Sequence, residues 1–313
     1  MSTDFVLAFD YGGTKIAVGT ATIDGQLISR RALSTKDYGD AESVVQAGIE
    51  AGQELVAESQ GMLQGSSLIS VGVSTMGVTY PDHVLLAPNV PGWTELRMHD
   101  IFGLAFKDIP IQFENDVKCA AFGELRRGEL QDTDYGIYVN LGTGIMVALT
   151  CGDQVMEGHH RASGEIAYNL RTPRDARGFR DGVAPFEELV GGRFIGLRAG
   201  KRFQRPMTSA DVFEAYRQGD EQAILFVDEV LAELGYHLAN LCNVWNPQRV
   251  VFGAGMVASH DVILPFLSRY FEKFVPFPPE LRVARFHRDA GLHGAVELAI
   301  SAQRSSLDIS QNV

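Results

Sequence analysis

Two glycine turns, each standing between two β-rich runs, offer the most distinctive chemistry in the sequence. The first, GGTK at Gly12–Lys15, follows Asp10, and the second is GTG at Gly142–Gly144. Glycine lets backbone N–H groups come close to phosphate oxygens, and the Asp10 carboxylate can hold Mg²⁺ through water. One copy alone would fit an ordinary hairpin turn equally well. The repetition favours two related halves that present both turns, as phosphate-binding elements, to a shared cleft.

Three further places carry residue types suited to a site, and each has an ordinary structural explanation. The turn Gly253–Gly255 would let a flat adenine lie against backbone, although strand-to-helix packing explains it equally well. Asp116 stands between a predicted strand and a predicted helix. There it could cap the helix or act as a general base at the carboxyl end of a strand, and position alone favours the cap. Glu165 and Glu187 lie in charge-rich loop sequence, where carboxylates are usually solvated.

The elements that must position these residues follow from apolar periodicity and turn signals. Beside the hairpins Phe5–Gln26 and Tyr135–Gln154, strands are predicted at Leu27–Leu33, Leu68–Ser74, Ile109–Glu114, Arg249–Met256 and Leu281–Arg285. Helices are predicted at Ala41–Glu58, Leu96–Phe106, Val117–Arg127, Thr208–Gln218, Asp220–Asn243, Val262–Phe274 and Ala290–Ala302. The stretch Glu157–Arg193 is predicted to be irregular. This alternation of strands and helices indicates an α/β protein.

The length and composition narrow the classes of function. At 313 residues the chain is long enough for two domains. A net charge of −12 argues against nucleic acid or an anionic membrane surface as a partner. The three cysteines are widely spaced and form neither a disulfide framework nor a metal-binding spacing, so a reducing, cytoplasmic compartment is expected. No run approaches the ~18 apolar residues of a membrane span.

Taken together, the motifs resemble those of the ROK family of sugar kinases, which belongs to the actin-like ATPase superfamily. The matching stretches follow the family's order along nearly the whole chain, at Asp10–Lys15, Glu114–Glu124, Leu141–Ile145, Gly152–Glu165 and Gly253–Gly255. The resemblance implies an α/β fold of the actin-like, ribonuclease H-like type, duplicated into two domains with a cleft between them. The small domain would comprise residues 1–116 with a C-terminal helix at about 290–305, and the large domain residues 117–289.

The resemblance also implies a role for each candidate residue. Asp116 would be the general base that takes a proton from a sugar hydroxyl, and Asp10 would face Mg²⁺ through water. The residues implied to bind the sugar are Gly77, Asn89, Asn115, Asp116, Glu165, Tyr168 and Glu187. The residues implied to bind ATP are Asp10, Gly12, Gly13, Thr14, Lys15, Gly142, Thr143, Gly144, Gly253, Ala254 and Gly255. Of these, the first two turns would contact the phosphates and the third the adenosine.

These roles imply an ATP-dependent hexose kinase that uses Mg²⁺, with glucose as the default sugar. N-acetylmannosamine, N-acetylglucosamine, fructose or another sugar remain alternatives.

A sugar-sensing repressor is a rival from another class, because the family includes such regulators. The acidic balance, and a start at the first strand with no helix-turn-helix before it, count against DNA binding. A weakened, non-catalytic sugar-binding protein is a second rival, and the retained Asp10 and Asp116 count against it. The resemblance further implies a homodimer formed through the large domain.

Three departures from the family pattern bear on this interpretation. Tyr168 stands where relatives usually have a histidine that serves sugar and zinc, and Met146 stands where they often have another glycine. The loop Arg171–Pro185 keeps its length but has no cysteine, whereas relatives usually carry a Cys-x-Cys…Cys zinc loop. We therefore predict no structural zinc. We predict instead that ion pairs hold this loop, formed among Arg174, Asp175, Arg177, Arg180 and Asp181.

Overall fold

The structure of the protein, a computed structural model, describes residues 4–80, 82–87 and 90–311. Backbone contacts separate these residues into two compact units. The first takes its residues from 1–126 and 289–313, and the second from 127–288. No helix in the described ranges has both the length and the apolar character that a bilayer crossing requires.

The first unit is built on a five-stranded sheet. Its strands are β1 (Phe5–Tyr11), β2 (Lys15–Thr22), β3 (Leu27–Ser34), β4 (Leu68–Thr75) and β7 (Ile111–Asn115). A separate two-stranded ladder pairs β5 (Val78–Thr79) with β6 (Val84–Leu85). The order across the sheet is β3-β2-β1-β4-β7. The first three strands in the chain pair antiparallel, and β4 and β7 continue from β1 in parallel. Its helices are α1 (Ala41–Met62), α2 (Met98–Ala105), α3 (Asp116–Arg127) and, after the second unit in the chain, α9 (Ala290–Gln311).

The second unit repeats this topology. Its strands are β8 (Tyr135–Leu141), β9 (Ile145–Cys151), β10 (Gln154–Val155), β11 (Arg249–Gly253) and β12 (Glu280–Val283), in the order β10-β9-β8-β11-β12. Its helices are α4 (Glu187–Val190), α5 (Gly192–Phe203), α6 (Ser209–Arg217), α7 (Glu221–Trp245) and α8 (His260–Phe274). Again the first three strands are antiparallel and the last two are parallel to the hairpin's first strand. The predicted duplicated α/β fold is confirmed.

Strand β1 is apolar from Phe5 to Phe9 because helices cover both faces of the sheet. Successive side chains of a strand point to opposite faces. Leu7 and Phe9 belong to the core that α1 and α2 share, whereas Val6 and Ala8 belong to the core that α9 covers. The carboxyl end of β1, where Asp10 lies, is therefore fixed from both sides.

Helix α3 lies with the first unit as far as Arg126, although we assigned it to the second domain from sequence. It packs directly against α9 through two glycines. A Cβ atom on Gly123 would lie 3.0 Å from the nitrogen of Gly294, and a Cβ on Gly294 would lie 1.9 Å from the carbonyl oxygen of Cys119. Because this backbone approach ties α3 to α9, the unit boundary falls after α3 instead of before it.

Sequence periodicity also missed helix α5. We predicted irregular chain up to Arg193, and no helix from there to Phe203. The helix contains Gly192, Gly196 and Gly200, and glycine is among the poorest helix formers. The helix forms because Ile195 and Ala199 are buried in the core of the second unit, so tertiary packing overrides local preference.

The close packing of α9 against β4 requires a residue without a Cβ atom at position 72. A Cβ atom there would lie 2.0 Å from the carbonyl oxygen of Ala295. We expect Gly72→Ala to lower the free energy of unfolding by about 1–3 kcal/mol, as overpacking does elsewhere, measured by urea denaturation. Gly103→Ala in α2 is the matched control, because nothing lies within 4 Å of its would-be Cβ. Equal stability of the two variants would contradict this account of the α9 seat.

Candidate active site

The Asp10 carboxylate is held by two elements of the first unit. The Ser74 hydroxyl, at the end of β4, donates a hydrogen bond to Asp10 Oδ1 at 2.8 Å. The backbone of α9 lies directly over the carboxylate, since a Cβ atom on Gly291 would be 2.4 Å from Oδ1. Burial raises the pKa of Asp10, and the Ser74 hydrogen bond opposes that rise. Asp10 is thus placed and oriented by neighbours that the sequence did not single out.

The donor set around Asp10 fits Mg²⁺ bound together with a nucleotide. No group of three or more histidine, cysteine, aspartate or glutamate side chains in the described part of the chain could hold a metal ion. Mg²⁺ is usually held by one or two carboxylates, by water and by substrate phosphates. A single fixed carboxylate suits that mode of binding.

The turn that follows Asp10 is closed by its own backbone. The Gly12 N–H donates to the carbonyl oxygen of Lys15 at 2.9 Å, and the Thr35 hydroxyl donates to the carbonyl oxygen of Gly12 at 3.0 Å. Gly13 and Thr14 are exposed at its tip. Lys15 was expected to bind the cofactor, but its Nζ lies 3.2 Å from Asp289, which also pairs with Arg30. Lys15 is exposed as well, but its ammonium group is already paired, so the backbone at Gly13 and Thr14 is the part of the turn left to contact a ligand.

Asn115, and not Asp116, is the principal cap of helix α3. Asn115 Oδ1 accepts hydrogen bonds from the backbone N–H groups of Val117 at 3.0 Å and Lys118 at 3.2 Å. Its Nδ2 donates to Asp116 Oδ1 at 3.0 Å and to the carbonyl oxygen of Gly77 at 2.9 Å. Asp116 is the first residue of the helix. The cap we favoured for Asp116 from position alone is thus made mainly by its neighbour, which also orients the Asp116 carboxylate.

Gly77 contributes through its backbone. It has a φ of +86° and closely approaches the β5–β6 ladder, where a Cβ atom would lie 2.5 Å from the carbonyl oxygen of Leu85. Only glycine fits such a position without strain. Asn89, the other predicted sugar contact in this part of the chain, lies outside the described residues.

The second glycine turn is one residue shorter than the first and is held from outside. Leu141 pairs with Ile145 across it, and the Gly142 N–H donates to the carbonyl oxygen of Gly144 at 3.1 Å. The first two N–H groups of helix α5 reach its carbonyl oxygens: Gly192 donates to Gly142 at 3.0 Å and Arg193 to Thr143 at 3.1 Å. Helix N-termini have unpaired N–H groups, and here α5 uses two of them to fix the turn.

Met146, one of the departures from the family pattern, lies in β9 beyond the turn. It pairs with Asn140 across the hairpin, and its side chain is buried. The closing hydrogen bond of the turn lies between Gly142 and Gly144, on the far side of the Leu141–Ile145 pair. The methionine is therefore buried in the strand and takes no part in the hydrogen bond that closes the turn.

Glu165, Tyr168 and Glu187 lie near one another in the second unit. Gly164 presses against β9, where a Cβ atom would lie 1.8 Å from the carbonyl oxygen of Val147, and this contact places Glu165. Burial and then the charges of Glu165 and Glu187 raise the pKa of the Tyr168 phenol, so both carboxylates lie within electrostatic reach of it. Burial also raises the pKa of Glu187, against a hydrogen bond from the Ile145 N–H. The structure thus brings together three of the residues predicted to bind sugar.

The turn Gly253–Gly255 contains a strained residue. Ala254 has a φ of +69° and a ψ of −170°, a region that is occupied almost only by glycine and costs about 1–3 kcal/mol elsewhere. A Cβ atom on Gly253 would lie 1.9 Å from the hydroxyl of Tyr138. Such strain persists only where surrounding structure imposes it, which makes this turn a candidate ligand contact.

The loop between Tyr168 and Glu187 is held by two carboxylates, with different partners from those predicted. Asp175 pairs with Arg171 at 3.2 Å and accepts its backbone N–H at 2.6 Å. Asp181 Oδ2 accepts the Gly178 N–H at 2.9 Å. The predicted ion pairs with Arg174, Arg177 and Arg180 were wrong, as none forms among the described residues. Arg171 takes their place because the turn at 172–175 brings Asp175 back to the Arg171 backbone and side chain together.

Four positions that sequence reasoning missed help to place the site, namely Ser74, Gly291, Gly192 and Arg193. Ser74 had a usable signal, because it ends a predicted buried strand at the edge of the sheet where ligand sites lie. Gly291 had none, since a contact with Asp10 depends on how α9 packs. Gly192 and Arg193 were hidden within the unpredicted start of α5.

The absence of structural zinc stays a prediction, and elemental analysis tests it. Because the loop 171–185 has no cysteine and Asp175 and Asp181 are engaged with Arg171 and Gly178, we expect far less than one zinc per chain in protein purified without chelator. Dialysis against a zinc chelator is expected to leave the thermal unfolding midpoint unchanged. Stoichiometric zinc, or a chelator-induced loss of stability, would overturn the prediction.

Comparison with known proteins adds independent findings. A family profile described as "ROK family" matches residues 6–302. A glucokinase of Halalkalibacterium halodurans is 26% identical over 330 residues, covering 98% of each chain. An N-acetylmannosamine kinase of Haemophilus influenzae is 25% identical over 290 residues, covering 92% of this chain and 93% of the relative. The crystal structure of a ROK family glucokinase from Streptomyces griseus in complex with glucose and AMPPNP matches with a TM-score of 0.77 and 26% identity, covering 95% of this chain and 99% of that one.

Proposed function

Because the chain belongs to the ROK family, we propose that it is a sugar kinase that transfers a phosphoryl group from ATP to a hydroxyl group of a hexose. The observation that carries the proposal is the Asp116 carboxylate, which the Asn115 amide orients at the carboxyl end of β7. The named relatives support the same reaction class, because glucokinases and an N-acetylmannosamine kinase are similar to this chain over nearly its full length.

Asp116 would accept the proton of the attacking hydroxyl. Phosphoryl transfer depends mostly on positioning and on neutralising charge, and a carboxylate base orients the nucleophile. As the first residue of α3, Asp116 lies at a helix N-terminus, where the helix dipole stabilises a negative charge. The position at the helix N-terminus therefore favours the ionised form that a general base requires.

The remaining candidate residues divide between the two ligands. Asn115, Gly77 and Asp116 in the first unit, and Glu165, Tyr168 and Glu187 in the second, would bind sugar hydroxyls. The turns at Gly12–Thr14 and Gly142–Gly144 would contact phosphates through backbone N–H groups, and Gly253–Gly255 would contact the adenosine. Asp10, fixed by Ser74 and Gly291, would hold Mg²⁺ through water, and that ion neutralises phosphate charge when bound. A kinase of this kind draws on ATP, so we place it in the cytoplasm.

Glucose is the substrate we propose first, because the Halalkalibacterium halodurans relative and the Streptomyces griseus structure are both glucokinases. The similar N-acetylmannosamine kinase keeps N-acetylhexosamines as the alternative, with fructose after them. Tyr168 bears on the choice, since its phenol can donate to a hydroxyl but is bulkier than histidine. Buried polar groups reject a sugar whose hydroxyls leave them unpaired.

A coupled assay of ADP release over glucose, N-acetylglucosamine, N-acetylmannosamine and fructose tests the proposal. We expect sugar-dependent ADP release, fastest with glucose. Asp116→Asn should lower kcat by about 10²–10⁴-fold, the usual contribution of a general base, with an unchanged thermal unfolding midpoint. Asp37→Asn, at an exposed position, is the matched control and should retain full activity. No ADP release with any sugar would refute the kinase, and undiminished activity of Asp116→Asn would refute the base.

We also propose a homodimer, formed through the exposed face of α7 in the second unit. Tyr236 and Val244 lie on this face with exposures of 49% and 83%, and Leu170 beside them is 56% exposed. They line a groove of about 390 Å³ together with Asn240. Contiguous exposed apolar side chains with polar neighbours are typical of protein interfaces.

Light scattering coupled to gel filtration tests the dimer. We expect twice the mass of one chain for the wild type and the mass of one chain for Val244→Asp, because the substitution would bury a carboxylate in the interface. Leu104→Asp is the control, because Leu104 is 86% exposed on α2 of the first unit. A monomeric wild type would contradict the dimer, and a dimeric Val244→Asp would contradict this face.

A further inference from the structure

We propose that Glu187 positions the second glycine turn for the nucleotide, so that sugar and nucleotide binding are coupled inside the second unit. The inference rests on the proposed function, in which Glu187 binds sugar and the turn Gly142–Gly144 binds phosphate. It adds a second duty for Glu187 that its sugar contact does not require.

The Glu187 carboxylate is already engaged with the turn. Glu187 Oε2 accepts a hydrogen bond from the Ile145 N–H, the first residue after the turn, at 3.1 Å. The same oxygen lies over Gly144, where a Cβ atom would be 2.1 Å from Oε2 and 2.9 Å from Cδ. A glycine at position 144 is therefore needed for the carboxylate to reach the turn at all.

The segment that carries Glu187 also binds the first two residues of the turn. Gly192 and Arg193 donate their N–H groups to the carbonyl oxygens of Gly142 and Thr143. Between them and Glu187, the missing Cβ of Gly191 would lie 3.0 Å from the Thr143 carbonyl oxygen. Residues 187–193 thus make three hydrogen bonds to residues 142–145 and hold both ends of the turn.

The charges around Glu187 link these hydrogen bonds with the turn to the residues proposed to bind sugar. Its negative charge acts on the Tyr168 phenol, and Arg193, whose N–H holds the turn, acts on the Glu187 carboxylate. A carboxylate can accept hydrogen bonds at both oxygens, so Oε2 can keep Ile145 while Oε1 accepts a sugar hydroxyl. A sugar that orders the carboxylate thereby orders the turn, and thermodynamic linkage makes the effect reciprocal.

Nucleotide affinity measured without sugar separates this duty from sugar binding. By calorimetry with AMPPNP and Mg²⁺, we expect Glu187→Gln to weaken nucleotide binding about tenfold in the absence of sugar, because an amide is a weaker acceptor than a carboxylate. Tyr168→Phe is the matched control, because it removes a proposed sugar contact and keeps the aromatic ring. It should leave nucleotide affinity unchanged without sugar. Glu187→Asp, which keeps the charge but withdraws it from Ile145, should resemble Glu187→Gln.

The coupling itself is measured by repeating each titration with saturating glucose. In the wild type, glucose is expected to tighten AMPPNP binding severalfold, and in Glu187→Gln this factor should fall to near one. If both Glu187 variants bind AMPPNP as the wild type does without sugar, the inference is overturned while sugar-dependent ADP release still supports the proposed kinase. If the wild type neither binds AMPPNP nor releases ADP, the proposed function itself fails. An unchanged unfolding midpoint shows that a weaker variant is still folded.

Discussion

Both units depend on close approach between backbone and its neighbours at positions that have no Cβ atom. Gly72 seats α9 on β4, and Gly291 lets the same helix lie on the Asp10 carboxylate. In the second unit, Gly164 brings a loop onto β9, and Gly144 admits the Glu187 carboxylate. Protein interiors are packed too tightly to absorb an extra methyl group at such contacts. The placement of the candidate site therefore depends on absent atoms as much as on the side chains that would do chemistry.

The N-termini of helices α3 and α5 also position parts of the candidate site, through polar contacts. Helix α3 is capped mainly by Asn115, whose amide also orients the Asp116 carboxylate, although Asp116 Oδ1 accepts the Val117 N–H as well. Helix α5 gives its first N–H groups to the carbonyl oxygens of the second glycine turn. In both cases backbone groups that a helix cannot satisfy internally are used to fix a neighbouring segment. Asp116 and the second turn are thus positioned by rigid elements.

Local signals made much of this predictable from sequence. The two hairpins, their glycine turns and the buried strands follow from patterns of a few residues, and the fold class is confirmed. Contacts across the chain were not predictable in this way. The Ser74 and Gly291 contacts with Asp10 join three separate elements. Helix α5 forms despite its three glycines because tertiary packing stabilises it. Asp175 pairs with Arg171, and not with Arg174 or Arg177 that are nearer in sequence, because of the geometry of the turn.

The return of α9 to the first unit has a consequence for biosynthesis. Val6 and Ala8 of β1 are covered by a helix that the ribosome makes only after all of the second unit. The second unit is continuous in the chain, so it can complete its sheet while the first still lacks a layer. Partly folded chains with exposed apolar surface are prone to aggregation. Until α9 has been synthesised, one face of the first unit's sheet therefore stays uncovered. Asp10 acquires its contact with Gly291 of α9 only after that step.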